Sequence, residues 1–175
     1  KIIHFPTDQE YVKYLQKGHV FLSCARSEGW NLPLIEAMAC GTPSIYSECS
    51  GQLEFAKGRG LPVNIKNTVT AQFGEYNPDL RYGVEGKFYE PDFDDLRKVM
   101  RDAYTNYDTH KKQALKESEE IRETFTWYNA AQIAGNHLID FYNSTDDQVN
   151  VPIEKLVLKT RLEYKNGLKL YFDKI

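Results

Sequence analysis

Over its first 66 residues the chain alternates short apolar runs with short amphipathic or capped stretches, and this alternation limits the fold more than any other feature. The order is KIIHF, DQEYVKYLQKG, HVFLSC, the stretch after Asn31, PSIYS, GQLEFAKG and LPVNI. Apolar runs of four to six residues suit strands buried on both faces, and intervening pieces of about ten residues suit the helices that cover them. Strand and helix in turn predict an α/β fold: a Rossmann-like parallel sheet with helices on both faces. In such sheets ligands bind beyond the carboxyl ends of the strands, where N–H groups at helix starts point outward.

The second half changes period. FDDLRKVMRDAYTNY places Leu96, Val99, Met100, Ala103, Tyr104 and Tyr107 on one face at helical spacing, with Asp92 as N-cap. HKKQALKESEEIRETF follows with Ala114, Leu115, Ile121 and Phe125 inward, then TWYNAAQIAGNHLIDFY capped by Thr126. Three closing helices are expected, their aromatic rings packed in the core. Residues 67–85 show no sustained period and read as a long loop, functional or disordered. NSTDDQVN reads as a linker, and RLEYKNGLKLYF as a β-hairpin around Asn166-Gly167. Two domains are expected, 1–143 and 144–175, the second a linker and the start of a β module. A start at Lys1 in mid-strand and a closing lone hairpin suggest a piece cut at both ends.

Composition removes several functions. A net charge of −3, with both signs interspersed, carries no footprint for nucleic acid. No apolar run approaches the roughly 20 residues of a membrane span and no leader is visible, so a cytoplasmic location is expected. Cys24, Cys40 and Cys49 lack metal-ligand spacing and read as reduced, packed thiols; His4, His19, His110 and His137 share no triad or metal spacing. His4 and His19 flank strands and read as structural. No metal site is expected.

The chemistry concentrates in SEGWNLPLIEAMACGTP, residues 27–43. Asn31 is a good N-cap, Pro33 suits a first turn and Gly41 a C′ position, so a helix of about nine residues is expected from Leu32. Glu36 lies about 100° round from Ile35 and reaches the margin of the apolar face. Near the N-terminal end the macrodipole favours its ionised form, and its two oxygens suit the vicinal diol of a ribose. Glu28 precedes the helix beside Gly29, where a backbone can approach a ligand closely. The N–H groups of Trp30, Asn31 and Leu32 are then available to phosphate or sugar oxygens. Spacing alone leaves the alternative that both acids merely flank a helix end.

Glu28 and Glu36, eight positions apart, followed by SECSGQLEF, resemble the E-x7-E region of family 4 glycosyltransferases, the GT-B enzymes that use nucleotide-sugar donors. GKFYEPDFDDL and FTWYNAAQ are similar to later segments of that family in the same order, and the resemblance covers about residues 1–143. It implies the C-terminal, donor-binding half of a GT-B fold, with Glu28 by the donor sugar and the reaction centre and Glu36 on the ribose. The amides of Gly29, Trp30, Asn31 and Leu32 would meet sugar and diphosphate. Glu54 would face the nucleotide across the cleft, against the alternative of a surface acid. Trp30-Asn31 departs from the family's usual pair, which leaves the sugar open. The family's Arg/Lys pair for the leaving diphosphate would lie upstream of Lys1; Arg26, near the motif, reads as solvated or structural.

The implied activity is transfer of a sugar from a nucleoside diphosphate to an acceptor hydroxyl with retention, the nucleotide sugar being substrate and no cofactor or metal being required. The acceptor, a glycan, protein or lipid, would be recognised by the absent N-terminal domain, and this stretch alone would bind donor weakly and turn nothing over. The alternatives are a transferase-like domain that binds nucleotide or protein without catalysis, and a related GT-B chemistry such as an epimerase or phosphorylase.

Overall fold

The computed structural model describes residues 7–71 and 86–144. KIIHF with His4, the span 72–85 and the Asn166-Gly167 hairpin lie outside the described residues. The chain forms two units, one of Gln9–Ile121 and a second that includes Arg122–Ile175.

In the first unit a three-stranded parallel sheet has the order β1-β2-β3, from Phe21–Ser23, Ser44–Ser47 and Leu61–Val63. Phe21 pairs with Ser44 and Ile45 with Leu61, which sets the register. Helices α1 (Asp8–Lys17), α2 (Leu32–Ala39) and the single turn α3 (Leu53–Ala56) occupy the predicted places between strands. β2 is buried at all four residues, as befits a central strand. Ile45, Val63 and Ala103 form one core cluster, and Leu15, Ala37 and Cys40 another, which joins α1 to α2 with Tyr11, Val12 and Phe21 packed against it. Tyr46 and Phe55 are fully enclosed, each stabilising the fold by about 1.5–3 kcal/mol through burial. The Tyr46 hydroxyl is satisfied by the Ala56 carbonyl at 2.6 Å, and burial pushes its pKa up to about 12.

The parallel α/β architecture agrees with the sequence, and residues 67–85 require a correction. Residues 67–70 are not loop: β4 (Ile65–Thr70) pairs antiparallel with β5 (Lys87–Pro91) as a separate two-stranded sheet with a register shift between Ile65 and Asn67. Its residues are mostly exposed or half-buried, so no apolar alternation marked it.

α4 (Phe93–Thr105) starts at Asp92, whose carboxylate accepts from the Asp94 and Asp95 amides; these two bonds hold the carboxyl below its usual range. Its expected core face is only partly core. Ala103 is buried and Leu96 and Val99 pack beside it, but Met100 and Tyr104 are 47% and 79% exposed. They line an open cavity of about 870 Å³ with His19 and Tyr107, whose rings lie 5.5 Å apart. The covered stripe is thus narrower than the apolar one.

α5 (Tyr107–Thr124) begins three residues earlier than its sequence suggested, with Ala114, Ser118 and Ile121 buried and Leu115 half exposed. In the second unit α6 (Trp127–Ser144) starts at the predicted cap, the Thr126 hydroxyl accepting from the Asn129 amide at 3.1 Å. It buries no residue: Trp127, Tyr128, Ile133, Leu138 and Phe141 are all exposed. The expected core packing of its rings is therefore not found among the described residues. Helical spacing aligns these side chains on the helix, but alignment does not itself supply a covering surface. No helix among the described residues is long and apolar enough to cross a membrane.

Candidate functional site at the strand ends

Because β1, β2 and β3 run parallel, the segments leaving β1 and β2 emerge at the same edge of the sheet. The segment after β1 holds Glu28 to Asn31, and the segment after β2 holds Ser50 to Gln52. They are fastened to each other through backbone. The Glu28 amide donates to the Ser50 hydroxyl at 3.0 Å, and the Glu28 carbonyl accepts from the Gly51 amide at 3.1 Å. A methyl group on Gly51 would sit 2.0 Å from the Gly29 carbonyl oxygen, so only glycine permits this approach. The clamp uses the main chain of Glu28, a half-buried residue, and none of its carboxylate. Burial pushes the Cys49 thiol up, and the Glu28 charge adds to that against an opposing bond from Ser50.

Below this clamp lies a buried polar chain. Asn31 caps α2 with φ 68° and ψ 65°, a left-handed conformation that asparagine tolerates better than most residues. Its Oδ1 accepts from the Leu34 amide, and its Nδ2 donates to Ser23 Oγ at 2.9 Å and to Gln52 Oε1 at 2.6 Å. Gln52 Nε2 in turn donates to the Ser47 carbonyl. One relay therefore ties the ends of β1 and β2 to the starts of α2 and α3. Asn31 and Gln52 are 6% and 0% exposed, so each bond replaces water that the site excludes.

The far end of α2 is closed as predicted at Gly41. The Gly41 amide donates to the Met38 carbonyl and the Thr42 amide to the Ala37 carbonyl, with Gly41 at φ 68°. This is the paired bonding of a glycine-terminated helix. Lys111 Nζ adds a bond to the Gly41 carbonyl at 2.7 Å.

Above the relay the turn opens outward. Gly29 has nothing within 4 Å of where a side chain would begin. Trp30 is 38% exposed, its ring 5.4 Å from that of buried Phe55, and Leu32 is 56% exposed. Glu54, in the first turn of α3, is exposed. Glu28, Trp30 and Asn31 are thus brought onto the segment 50–55.

Glu36 is held elsewhere. It is the fifth residue of α2, beyond the first turn, so the expected hold by the macrodipole is corrected: that field fades within the first turn. Its Oε2 instead accepts from the Tyr11 hydroxyl of α1 at 2.8 Å. Burial first, and then this bond, raise the Tyr11 pKa well above that of a free phenol. Arg26, read from the sequence as solvated or structural, is half exposed and held by neighbouring side chains. It pairs with Glu90 at 3.1 Å and lies 5.0 Å over the Phe88 ring, while its carbonyl accepts from the Tyr89 amide.

Four residues escaped the sequence reading: Tyr11, Ser23, Ser50 and Gln52. Tyr11 stands four positions before buried Leu15, a spacing that announces an inward ring. Gln52 directly precedes a helix, where a side chain can reach back toward a neighbouring turn. Nothing local marks Ser23 or Ser50.

Parts of the chain are similar in sequence to known proteins. Residues 1–61 match the family model of glycosyl transferases, group 1. "Putative glycosyltransferase 48" of Sulfolobus islandicus filamentous virus is 27% identical over 119 residues, 65% of this chain and 35% of that protein. "Putative glycosyltransferase ORF313" of Acidianus filamentous virus 1 is 35% identical over 67 residues, 38% of this chain and 21% of that protein. "Putative glycosyltransferase ORF315" of Acidianus bottle-shaped virus is 31% identical over 108 residues, 57% of this chain and 33% of that protein. The chain thus spans about a third or less of these relatives. Together the matches support a glycosyltransferase.

Proposed function

We propose that this chain belongs to the donor-binding half of a GT-B glycosyltransferase that transfers a sugar from a nucleoside diphosphate to an acceptor hydroxyl with retention. The observation that carries the reading is the Glu28 clamp at the carboxyl edge of the parallel sheet. The protein uses the backbone of Glu28 to fix the turn and leaves its carboxylate out of the clamp. In this reading the carboxylate of Glu28 lies beside the transferred sugar, and the amides of Gly29 to Leu32 face the diphosphate at the start of α2. Glu36 accepts the ribose hydroxyls, and Glu54 stands on the opposite rim. Charge gathers on the diphosphate as the sugar leaves, so donors already in place lower the barrier without reorganising. Holding the acceptor hydroxyl on the same face of the sugar that the diphosphate leaves, where the departing phosphate can take its proton, supplies much of the remainder. Arg26 is engaged with Glu90 and Phe88, so basic side chains for the leaving group come from other residues.

Glu28→Ala in the full-length protein tests the assignment. Turnover of its nucleotide sugar is expected to fall by about 100-fold or more, as when a transition-state contact is lost. Affinity for the nucleoside diphosphate product, measured by titration calorimetry, is expected to hold. Equal losses in turnover and product affinity would remove Glu28 from the reaction centre. An inverted anomeric product, read by NMR, would overturn retention.

A further inference from the structure

The bond between Tyr11 and Glu36 joins two helices that the apolar cluster of Leu15, Ala37 and Cys40 already holds together. The cluster needs only the Tyr11 ring, yet the phenol continues past it to one oxygen of a carboxylate. Tyr11 takes Oε2, and no hydrogen bond to Oε1 is found among the described residues. A carboxylate with one oxygen tied down has lost most of its freedom to rotate, and its second oxygen points in one direction. Charge-assisted bonds of this kind are short and directional. A phenol is also purely a donor toward carboxylate, so it uses one oxygen as acceptor and leaves the other to accept from a sugar hydroxyl.

We propose that Tyr11 is a positioning residue that fixes Glu36 so that its free oxygen meets a ribose hydroxyl, and that the pair thereby sets a preference for ribonucleotide over 2′-deoxyribonucleotide donors. The inference rests on Glu36 being the ribose acceptor. Tyr11 touches no ligand itself. It acts by removing the rotamers in which Glu36 would face away from the sugar, so that less order has to be imposed when the nucleotide arrives.

The test uses the full-length protein and the common nucleoside diphosphates with their 2′-deoxy counterparts, titrated calorimetrically. Wild type is expected to prefer the ribo form by about tenfold or more, as for one charge-assisted hydrogen bond. Tyr11→Phe removes one oxygen and keeps the ring, and is expected to reduce that preference by about 3- to 10-fold. In a Glu36→Gln background the same change is expected to do nothing further, because Tyr11 then has no carboxylate to orient. If Tyr11→Phe fails to fold, fluorination of the Tyr11 ring keeps its shape and strengthens the donor, and the preference is expected to change with donor strength. A preference untouched by Tyr11→Phe or by fluorination, but lost in Glu36→Gln, overturns the positioning role and leaves the ribose assignment standing. No ribo preference in wild type, or none lost in Glu36→Gln, overturns the ribose assignment itself and the proposal with it.

Discussion

Asn31 and Gln52, on the inner side of the turn between β1 and α2, are all but sealed from solvent and bond to each other, to Ser23 and to the Ser47 carbonyl. Trp30 and Leu32, which flank Asn31 in the chain and face the outer side, are 38% and 56% exposed, and Gly29 borders open space. The same few residues therefore present a satisfied polar interior and a bare rim. In the proposed reading this rim is a binding surface, and a surface that must stay open to a ligand gains no cohesion from its own outer face. Its shape has to be enforced from beneath, and here a relay of amides and hydroxyls does so.

Mutations on the two sides separate them. Asn31→Ala strikes the inner side hardest. It removes the cap of α2, leaves Gln52 and Ser23 short of a partner and puts alanine where φ is 68°. A loss of about 2–4 kcal/mol in urea unfolding is expected. A loss below about 1 kcal/mol would show that the relay does not govern the turn.

Gly51→Ala follows. Its methyl would meet the Gly29 carbonyl and threaten the Gly51 to Glu28 bond, both backbone features that cannot swing aside. About 1–3 kcal/mol is expected from overpacking, again by urea unfolding. Gly29→Ala, the mirror change on the rim, is expected to alter stability by no more than about 0.5 kcal/mol, because its methyl meets nothing. It is expected instead to weaken nucleoside diphosphate binding in calorimetry. Equal stability losses at Gly29 and Gly51 would erase the distinction between rim and interior.

Much of this arrangement was legible in the sequence. The order of elements from α1 to β3, Asn31 and Asp92 as caps, Thr126 before α6 and Gly41 at the end of α2 all follow from local chemistry, and the structure shows each. Partnerships across the chain were not legible. The bonds from Tyr11 to Glu36 and from Asn31 to Gln52 join residues 25 and 21 positions apart, and no local pattern announces such pairs. Periodicity also misled where it was strongest. Met100 and Tyr104 share a helical face with Ala103, and α6 carries a full set of apolar residues, yet these side chains stand exposed. A repeat reports which residues line up along a helix. Whether anything covers them depends on the neighbouring elements.

The two ends of α2 are secured by different means, a side-chain amide at Asn31 and the paired backbone bonds with the Lys111 ammonium at Gly41. An eight-residue rod pinned at each tip behaves as a lever with no slack. Under the proposed donor site, any rearrangement on binding therefore falls to the segments flanking this helix rather than to the helix itself.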